Sequence, residues 1–463
     1  MAHYDVLVVG GGTGNNVAAA AADAGLDTAL VEKGPLGGTC LNRGCNPSKM
    51  LIQAATAANH VREADRFFLD ATLEDIDYAS IIDDMDETLS PIADGMEERY
   101  RDKEHLSLYR DEAVFVDDRT VDVGGERVSG EKVVVAAGSR PLVPPIDGLD
   151  DVDHMTSTEA LYRREQPDSL VILGGGYIAV ELGYFFESLG TDVTIVEMMD
   201  TLVPREDPDV AEAFTDIARQ RHEVHTGHRA TAVESSADTV TVHAETEGGE
   251  TVAAAGDELL VALGRRPNTD TLDVEAAGIE TDDNGFVVTN DRLETSAENV
   301  WAQGDVADNA MFKHSGDYET QVTVDNVVHG ENTRADFTAM PHAIFTEPQM
   351  AGVGKTEDEL RDDGTEYVVG REELSGTPMG RAKKLDDGFA KVLAAPDGEI
   401  LGCHVLGYEA STMLHEVVVA MRSGSGHVSD ITNTIHAHPT LNKVVQYAFE
   451  DAAIGGVQAD HDS

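Results

Sequence analysis

Cys40 and Cys45, five residues apart in the stretch GGTCLNRGCNPSK, are the side chains best suited to redox chemistry. In an ideal helix this spacing turns the second side chain about 140° away from the first, so a disulfide between them requires a distorted helical turn. Gly44 and Pro47 permit such a distortion, and a helix N-terminus lowers the pKa of a thiol. We therefore predict a redox-active dithiol.

A structural disulfide and a metal site are the two alternatives for this pair. A structural disulfide would close a loop of only five residues, so it would add little stability. A metal site would need a second pair of cysteines or histidines, which Cys403 alone does not supply. No metal ligands are therefore predicted.

Two glycine-rich turns have the spacing of dinucleotide-binding sites. The apolar strand Tyr4–Val9 leads into GGGTGN, and Ser169–Leu173 leads into GGGYIA, each followed by a helix. An acidic residue, Glu32 or Glu197, lies 22 or 23 residues after the first glycine, where it can bind a ribose hydroxyl. The helix N-terminus then faces the pyrophosphate. Two copies predict two dinucleotides, or one donor that feeds a second bound cofactor.

The elements that position these turns follow an α/β pattern with a different C-terminal part. VVVAAG and LLVALG each predict a strand that stops at a glycine, and VWAQGD predicts a short strand whose Asp305 can accept a hydrogen bond from a ribityl hydroxyl. From Pro341 onward the sequence predicts an α+β unit, with strands near residues 343–345, 367–369, 390–394 and 400–406 and helices near 412–422 and from 442.

The composition limits the classes of function. The 463 residues include 33 Lys and Arg against 87 Asp and Glu, a formal net charge of −54. This charge argues against nucleic-acid or membrane binding and suits a surface adapted to molar salt. A hydrophobic content of 41% argues against disorder. Because we find neither a secretion signal nor a long apolar run, and the three cysteines suit a reducing compartment, we expect a cytoplasmic protein.

The dithiol segment resembles the GGTCxxxGCxPSK segment of the flavin-dependent pyridine nucleotide–disulfide oxidoreductases. The glycine turns, the dithiol, the AAG and QGD strands and the C-terminal unit also follow the order of this family. The resemblance implies an α/β fold with two Rossmann-like domains, for FAD and NAD(P), and a C-terminal α+β dimerisation domain in a homodimer. The expected bounds are 1–150 and 271–340 for the FAD domain, 151–270 for the NAD(P) domain and 341–463 for the dimerisation domain.

The resemblance also implies roles for residues beside the flavin. Cys40 would attack the substrate disulfide, and Cys45 would contact the flavin as the charge-transfer thiol. Lys49, paired with Glu181, would place an ammonium near flavin N5; an ordinary ion pair is the alternative. Tyr177 would cover the ring until nicotinamide displaces it. The implied cofactor-binding residues are Gly10, Gly12, Gly14, Glu32, Lys33, Gly38, Thr39, Lys49, Ala137, Gly138, Gly174, Gly176, Tyr177, Ala179, Glu197, Gly264, Arg265, Asp305 and His314.

His438 in the segment HAHPT resembles the histidine that serves this family as acid and base across the dimer interface. Such a group helps a sulfur leave as a thiol. The family has a glutamate five residues later that orients the ring, whereas this chain has Lys443. An ammonium there would oppose protonation of the imidazole. Either another acid orients the ring, with Glu416 and Glu450 as candidates, or Lys443 has a different role or none.

The substrate expectation rests on a closer resemblance within the family. GGGTGN, FKHSGDYET and LGYEAS look most like mycothione reductase. Because halophilic archaea use γ-glutamylcysteine as their general thiol, a salt-adapted member of this type is expected to reduce bis-γ-glutamylcystine. Arg43 and Lys443 are the expected ligands for its carboxylates. Dihydrolipoyl dehydrogenase is the alternative function. Mercuric reductase fits less well, because no second cysteine pair lies near the C-terminus.

The nicotinamide donor is expected to be NADPH or NADH. Glu197 lies where an acid normally binds the adenosine 2′-hydroxyl, and Met198 and Met199 follow where NADPH-using relatives tend to carry arginine. These residues favour NADH. Reduction of small disulfides in the family usually draws on NADPH, and molar salt would weaken repulsion between Glu197 and a 2′-phosphate. The functional argument therefore favours NADPH slightly.

Overall fold

The structure is a computed structural model that describes residues 1–237, 239–307 and 309–459. Its strands, in chain order, are β1 (Ala2–Val9), β2 (Thr28–Val31), β3 (Leu106–Tyr109), β4 (Ala113–Asp117), β5 (Thr120–Val123), β6 (Glu126–Val135), β7 (Ser139–Pro141), β8 (Ser169–Leu173), β9 (Asp192–Val196), β10 (Glu223–His225), β11 (Arg229–Ser236), β12 (Thr239–Glu245), β13 (Thr251–Gly256), β14 (Glu258–Val261), β15 (Arg265–Pro267), β16 (Val300–Ala302), β17 (Pro341–Ile344), β18 (Gln349–Gly354), β19 (Val368–Glu373), β20 (Phe389–Ala394) and β21 (Ile400–Gly407). Its α-helices are α1 (Gly14–Asp23), α2 (Gly38–Arg43), α3 (Cys45–Arg62), α4 (Tyr78–Arg101), α5 (Ser157–Leu161), α6 (Tyr177–Leu189), α7 (Pro208–Ala218), α8 (Thr269–Leu272), α9 (Lys313–Val327), α10 (Glu357–Asp363), α11 (Pro378–Lys383), α12 (Ala410–Met413), α13 (His415–Ser423), α14 (Ser429–Thr432) and α15 (Lys443–Ala459).

The first sheet joins N-terminal strands to a strand from the middle of the chain. Its order is β3-β2-β1-β6-β5-β4, and β16 pairs with β6. β6 runs parallel to both β1 and β16, with Val135 opposite Val9 on one side and Ala302 on the other. The carboxyl ends of these three strands therefore meet at one edge. This register brings the first glycine turn beside Gln303 and Asp305.

The second sheet repeats this arrangement. Its order is β10-β9-β8-β14, with all neighbours parallel. Leu173 at the end of β8 lies opposite Val196 on one side and Val261 on the other. The glycine turn after β8 leads into α6, as the turn after β1 leads into α1. The parallel part of the first sheet, β3-β2-β1-β6-β16, and the wholly parallel second sheet confirm the predicted α/β fold with two Rossmann-like units. The exact domain bounds stay predictions.

A three-stranded antiparallel sheet, β11-β12-β13, was missed by the sequence analysis. In β12 the buried residues Val240, Val242 and Ala244 alternate with more exposed ones. This period of two is visible in TVTVHAE and is the usual signal of a half-buried strand. The segment carries no dinucleotide-binding glycine motif, although a Gly248-Gly249 turn joins β12 to β13.

The C-terminal unit is built on a five-stranded antiparallel sheet, β17-β18-β21-β20-β19, against which α15 packs. All four predicted strands are present, whereas β18 was not predicted. The predicted helix near 412–422 forms as two helices, α12 and α13, with Leu414 between them. Cys403 on β21 is fully buried in the apolar core of this unit, and burial raises the pKa of its thiol.

Within the described residues, no helix is both long enough and apolar enough to span a membrane.

Candidate active site

The two cysteines lie on consecutive helices that Gly44 separates. Cys40 is in α2, which ends at Arg43, and Cys45 is the first residue of α3. Gly44 has φ −149° and ψ −120°, so the helix is interrupted between the two thiols. A Cβ at this position would lie 2.9 Å from the Thr39 carbonyl oxygen, which leaves no room for a side chain. The predicted distortion of the helix is therefore present.

The two thiols interact, and as a result their pKa values shift in opposite directions. A hydrogen bond donated by the Cys40 thiol lowers the pKa of Cys45 to about 7; burial opposes this shift and the Lys49 ammonium reinforces it. The same hydrogen bond, together with burial, raises the pKa of Cys40. Cys45 is thus the thiol that ionises first, and Cys40 keeps its proton until a base removes it.

The pKa of Cys45 gives a prediction for the reduced holoenzyme. Because the pKa of Cys45 is about 7, this thiol is mostly neutral below pH 7 and mostly charged above it. The thiolate-to-flavin absorbance should therefore be weak below pH 7 and grow as the pH rises through this value. Lys49→Met removes a cation that lowers this pKa, so it should move the midpoint to higher pH. An absorbance titration measures both midpoints. A wild-type midpoint near 9.0, the ordinary pKa of a thiol, would contradict the assignment.

Lys49 and Glu181 form an ion pair between residues 132 positions apart in the sequence. Lys49 Nζ lies 2.7 Å from Glu181 Oε2, and the Glu181 side chain is only 5% exposed. The other oxygen, Glu181 Oε1, accepts a hydrogen bond from the Phe345 backbone N–H at 2.9 Å. Lys49 Nζ also lies 4.8 Å from the centre of the Phe345 ring. The pair therefore holds the ammonium at a fixed position one helical turn beyond Cys45.

A cavity of about 340 Å³ opens beside the dithiol. Its walls come from the first glycine turn, α2, α3, the N-termini of α6 and α9, and the strand end that follows β16. The predicted site residues that line it are Gly12, Thr39, Cys40, Arg43, Cys45, Lys49, Gly138, Tyr177, Glu181, Arg265, Asp305 and His314.

The first glycine turn, which reaches this cavity at Gly12 and Thr13, fits the expectation that its backbone lies close to a bound dinucleotide. A Cβ on Gly10 would lie 2.2 Å from the Ala136 carbonyl oxygen, and a Cβ on Gly38 would lie 2.6 Å from Gly12 Cα. The backbone can therefore pack this closely only because both positions are glycine and carry no Cβ. Gln303 is fully buried, and its Oε1 has no partner among the described residues. A cofactor bound in the cavity can supply the missing donor.

Further predicted residues surround this turn. A Cβ on Gly14 would lie 2.8 Å from Val8 Cγ1, so α1 packs closely on β1. Ala137 accepts a hydrogen bond on its carbonyl oxygen from Asn268 Nδ2 at 2.8 Å. His314 Nε2 lies 2.7 Å from the Pro341 carbonyl oxygen, which joins α9 to β17.

Glu32 and Glu197 hold the two glycine turns in the same way. Glu32 Oε2 accepts a hydrogen bond from Gly11 N at 2.6 Å, and Glu197 Oε2 accepts one from Gly175 N at 2.5 Å. The first carboxylate also accepts from Gly34 N at 2.6 Å, and the second from Met199 N at 2.7 Å. Each acid thus lies beside a turn, where a ribose can reach its remaining lone pairs.

The second turn is open in the same way as the first. A Cβ on Gly174 would lie 2.5 Å from the Ala262 carbonyl oxygen, whereas a Cβ on Gly176 or on Gly264 would meet no atom within 4 Å. Ala179 is fully buried on α6, as the small residue at the third position of the motif must be. The N-terminus of α6 therefore faces free space, which suits a pyrophosphate.

Asp305 and Arg265 both form a hydrogen bond with Ser139 at the cavity wall. Ser139 Oγ donates a hydrogen bond to Asp305 Oδ2 at 2.6 Å, and Arg265 Nε donates to Ser139 Oγ at 2.8 Å. Lys33 is placed differently from the other predicted residues: it is exposed and pairs with Glu112 at 2.7 Å, outside the cavity lining.

His438 lies in the exposed loop between α14 and α15, and no side-chain hydrogen bond to it is found within the described part of the chain. Neither candidate acid orients its ring. Glu416 Oε2 lies 2.7 Å from His436 Nε2, and Glu450 Oε1 accepts from Gln446 Nε2 at 3.0 Å. Of the two alternatives, orientation of His438 by Glu416 or Glu450 is not found within the described chain, because both carboxylates are engaged by neighbouring side chains.

Lys443 begins α15, and its Nζ donates a hydrogen bond to Gln446 Oε1 at 2.7 Å. It does not line the dithiol cavity of its own chain. Two apolar side chains of the same unit are strongly exposed, Ile435 at 98% and Val419 at 62%. Ile435 lies three residues before His438, so an exposed apolar side chain and the histidine share one loop.

The cavity lining also contains residues that were not predicted from the sequence, among them Lys313, His342 and Phe345. Lys313 belongs to FKHSGDYET, a stretch that was noted only for its resemblance and for His314. His342 pairs with Glu206 at 2.9 Å, and Phe345 contacts Lys49. The last two lie after Pro341, in the segment assigned to the C-terminal unit, and only the folded chain brings that segment to the dithiol.

Comparison with known proteins agrees with this architecture. Residues 4–330 match the family model for pyridine nucleotide-disulphide oxidoreductase, and residues 340–449 match the dimerisation domain of that family. Dihydrolipoyl dehydrogenase of Halobacterium salinarum is 37% identical over 97% of this chain and 96% of the relative. Mercuric reductase of Staphylococcus aureus is 32% identical over 96% of this chain and 82% of the relative.

A solved structure has the same fold along nearly the whole chain. The HOCl-induced flavoprotein disulfide reductase RclA from Escherichia coli has a TM-score of 0.86 and 28% identity, and the match covers 96% of this chain and 99% of that chain. The predicted family, the use of FAD and the C-terminal dimerisation domain are confirmed. The chain therefore belongs to the class I pyridine nucleotide-disulfide oxidoreductases, the FAD-dependent enzymes whose chemistry is carried out at a redox-active dithiol.

Proposed function

We propose that this enzyme uses NAD(P)H to reduce a small anionic disulfide, bis-γ-glutamylcystine, to two molecules of γ-glutamylcysteine. The observation that carries the substrate class is Lys443 at the start of α15, where the resemblance leads one to expect a carboxylate. Arg43, three residues after Cys40, adds a cation that lines the cavity of its own chain and has no ion-pair partner in the part of the chain that the structure describes. In a chain of net charge −54, cations at these positions favour an anionic substrate.

The dithiol supplies the exchange chemistry. His438 takes the proton of Cys40, and the Cys40 thiolate attacks one sulfur of the substrate, so that a mixed disulfide forms while the substrate S–S bond breaks. The released half takes the proton back from His438 and leaves as a thiol. The Cys45 thiolate then attacks the Cys40 sulfur, which forms the Cys40–Cys45 disulfide and releases the second half as a thiolate that takes up one proton from solvent. The hydride of one NAD(P)H restores the Cys40 thiol and the Cys45 thiolate, so each turnover consumes one disulfide, one NAD(P)H and one proton and yields two thiols.

The residues around the cavity would position this chemistry. Bound FAD would pass the electron pair from the nicotinamide to the Cys40–Cys45 disulfide. Gly10, Gly12 and Gly38 would let the backbone approach that cofactor, and the Lys49 ammonium, held by Glu181, would stabilise negative charge on it. Tyr177, 37% exposed at the N-terminus of α6, would shield the ring on the nicotinamide side.

We further propose that the working unit is a homodimer in which His438 of one subunit serves the dithiol of the other. His438 is exposed and lies outside the dithiol cavity of its own chain. The family model covering residues 340–449 is that of a dimerisation domain. A histidine in this domain thus reaches a dithiol most simply across the interface. The reducing environment that free thiols need is consistent with the cytoplasm.

The donor is proposed to be NADPH, on the ground that reductive thiol chemistry in this family usually draws on it. Glu197 supports NADH instead, because its buried carboxylate would repel a 2′-phosphate. Glu197→Ala should therefore lower KM for NADPH and leave KM for NADH unchanged or raise it, which makes the contribution of this side chain measurable.

Dihydrolipoyl dehydrogenase is the second candidate function. The Halobacterium salinarum relative of that name is 37% identical over 97% of this chain, which supports it directly. Dihydrolipoamide is neutral, so it would make no use of Lys443 or Arg43. Mercuric reductase is the weakest candidate, because residues 452–463 contain no second cysteine pair that could pass the metal inward.

Lys443→Met separates the first two functions. If this lysine binds a carboxylate, the variant should raise KM for bis-γ-glutamylcystine by about 10-fold or more, the effect of losing one charge-assisted hydrogen bond. KM for neutral lipoamide should stay unchanged. Steady-state rates of wild type and variant with both disulfides, each with NADPH and NADH at high salt, give the comparison. The proposal fails if wild type prefers lipoamide and the ratio of the two KM values is the same in both proteins.

A further inference from the structure

Lys313 is the first residue of α9 and lines the cavity that contains Cys40 and Cys45. Its side chain is 38% exposed and forms an ion pair with Asp317, one turn further along the helix. Asp317 itself is 45% exposed and does not line the cavity. The ammonium therefore lies at the cavity wall, and its carboxylate partner lies outside.

Two other cations of the cavity wall, Lys49 and Arg265, are held by more buried partners, whereas Arg43 has no ion-pair partner among the described residues. Lys49 is paired with Glu181, whose side chain is 5% exposed. The Arg265 side chain is 9% exposed, and its guanidinium donates to both Oγ and the carbonyl oxygen of Ser139 at 2.8 Å. If a substrate carboxylate replaced Glu181 as the partner of Lys49, or Ser139 as the partner of Arg265, the displaced buried group would be left without a partner. The exposed pair of Lys313 and Asp317 carries no such penalty, because solvent screens both groups.

The field of Lys313 reaches the sulfur that attacks the substrate. The pKa of Cys40 is raised by its hydrogen bond with Cys45, by burial and by the charge of Cys45. Lys313 acts in the opposite direction and lowers this pKa, while Asp317 raises it. Both members of the pair are thus close enough to Cys40 to influence the charge on its sulfur, and they do so with opposite sign.

We propose that Lys313 is a specificity residue that binds a carboxylate of the substrate disulfide beside Cys40. In the free enzyme Asp317 holds the ammonium, and an anionic substrate takes the place of Asp317 as it enters. The substrate carboxylate thus replaces the exposed carboxylate of Asp317 as the partner of Lys313. No buried charge loses its partner in this step. A neutral disulfide gains nothing from this lysine. The inference rests on the proposed function only in assuming that the substrate is an anionic disulfide.

Alkylation of the reduced holoenzyme tests this without turnover. Iodoacetate is an anion and iodoacetamide is neutral, and both react with the same thiolate. Mass mapping of the modified peptide gives the rate constant of each reagent at Cys40. Because both rates are proportional to the same fraction of thiolate, that fraction cancels in their ratio. The ratio therefore reports only the attraction of the site for an anion. Lys313→Met should lower this ratio by about 10-fold, as expected for loss of one charge-assisted hydrogen bond.

Two further variants, Asp317→Asn and Lys355→Met, test the competing carboxylate and provide a control. Asp317→Asn removes the competing carboxylate and should raise the ratio. Lys355→Met is the matched control, because Lys355 forms an exposed pair with Asp363 at 2.5 Å and lies outside the cavity lining; it should leave the ratio unchanged. An unchanged ratio in both Lys313→Met and Asp317→Asn would overturn the inference.

The test is independent of the proposed substrate. If wild type fails to reduce bis-γ-glutamylcystine but the alkylation ratio falls in Lys313→Met, the proposed function is wrong and the anion site stands. If wild type reduces that disulfide but the ratio is unaffected, the proposed function stands and Lys313 is not its carboxylate ligand. Flavin absorbance of each purified variant shows that the holoenzyme is folded, and Lys313→Arg, which keeps the charge, should keep most of the wild-type ratio.

Discussion

Cys40→Ser and Cys45→Ser should each reduce disulfide turnover by more than about 10³-fold, since both sulfurs take part in the exchange. The two variants should differ in their spectra. Cys45 carries the lowered pKa and begins α3, so Cys45→Ser should lose the long-wavelength absorbance between thiolate and flavin. Cys40→Ser should retain that absorbance, because it keeps Cys45, the thiol that we propose contacts the flavin. Reduction of each holoenzyme without oxygen, followed by absorbance spectroscopy, gives the result.

The spectrum of Cys40→Ser carries a further expectation. The hydrogen bond from the Cys40 thiol is the largest cause of the lowered pKa of Cys45. A serine hydroxyl can donate to the same thiolate, so the absorbance midpoint should shift only moderately, whereas Cys40→Ala should shift it to higher pH. An absorbance that survives in Cys45→Ser and vanishes in Cys40→Ser would show that the two thiols have been assigned in the wrong order.

His438→Ala should lower turnover by about 10² to 10⁴-fold, the usual contribution of an acid–base group. Because we propose that this histidine acts across a twofold interface, mixing inactive Cys40→Ala and His438→Ala subunits should restore activity. Half of the dimers are then mixed and each has one competent site, so about one quarter of the wild-type activity is expected.

Subunit exchange must be verified for this result to count. Differently tagged subunits, purified as the mixed dimer, provide that control, and the mixed dimer should then have about half of the wild-type activity. A pure mixed dimer that stays inactive would show that His438 serves the dithiol of its own chain. The exposed Ile435 and Val419 should become protected from solvent in the dimer, which hydrogen exchange of the surrounding backbone can follow.

The dithiol and the two nucleotide turns could be predicted from the sequence because each depends on local rules. Gly44 indicated where the helix must be interrupted, and the structure separates α2 from α3 at this residue. The turns at Gly10 and Gly174 have nearly the same surroundings, with a Cβ excluded by a carbonyl oxygen in each. The pairing of Lys49 with Glu181 is a contact between distant residues, and it came from the family resemblance rather than from local spacing.

The contacts that could not be predicted depend on distant parts of the chain. Lys313 comes to the dithiol because β16 lies beside β6, and this register is not visible in a short sequence window. The acids near His438 could not be assigned for the same reason: Glu416 lies 20 residues before His436, and only the folded chain shows that these two meet. β18 was missed because QMAGVG contains two glycines and lacks a clear alternation.

A thiol count on the wild-type holoenzyme tests the central claim most directly. One equivalent of NADPH, added without oxygen to the oxidised enzyme, should convert the Cys40–Cys45 disulfide into two alkylatable thiols, with mass mapping of both cysteines and growth of the long-wavelength absorbance. The buried Cys403 should stay unreactive in the folded protein before and after reduction. A flavin that bleaches with no gain of thiols at Cys40 and Cys45 would contradict the account, since the electrons would then not pass through this dithiol.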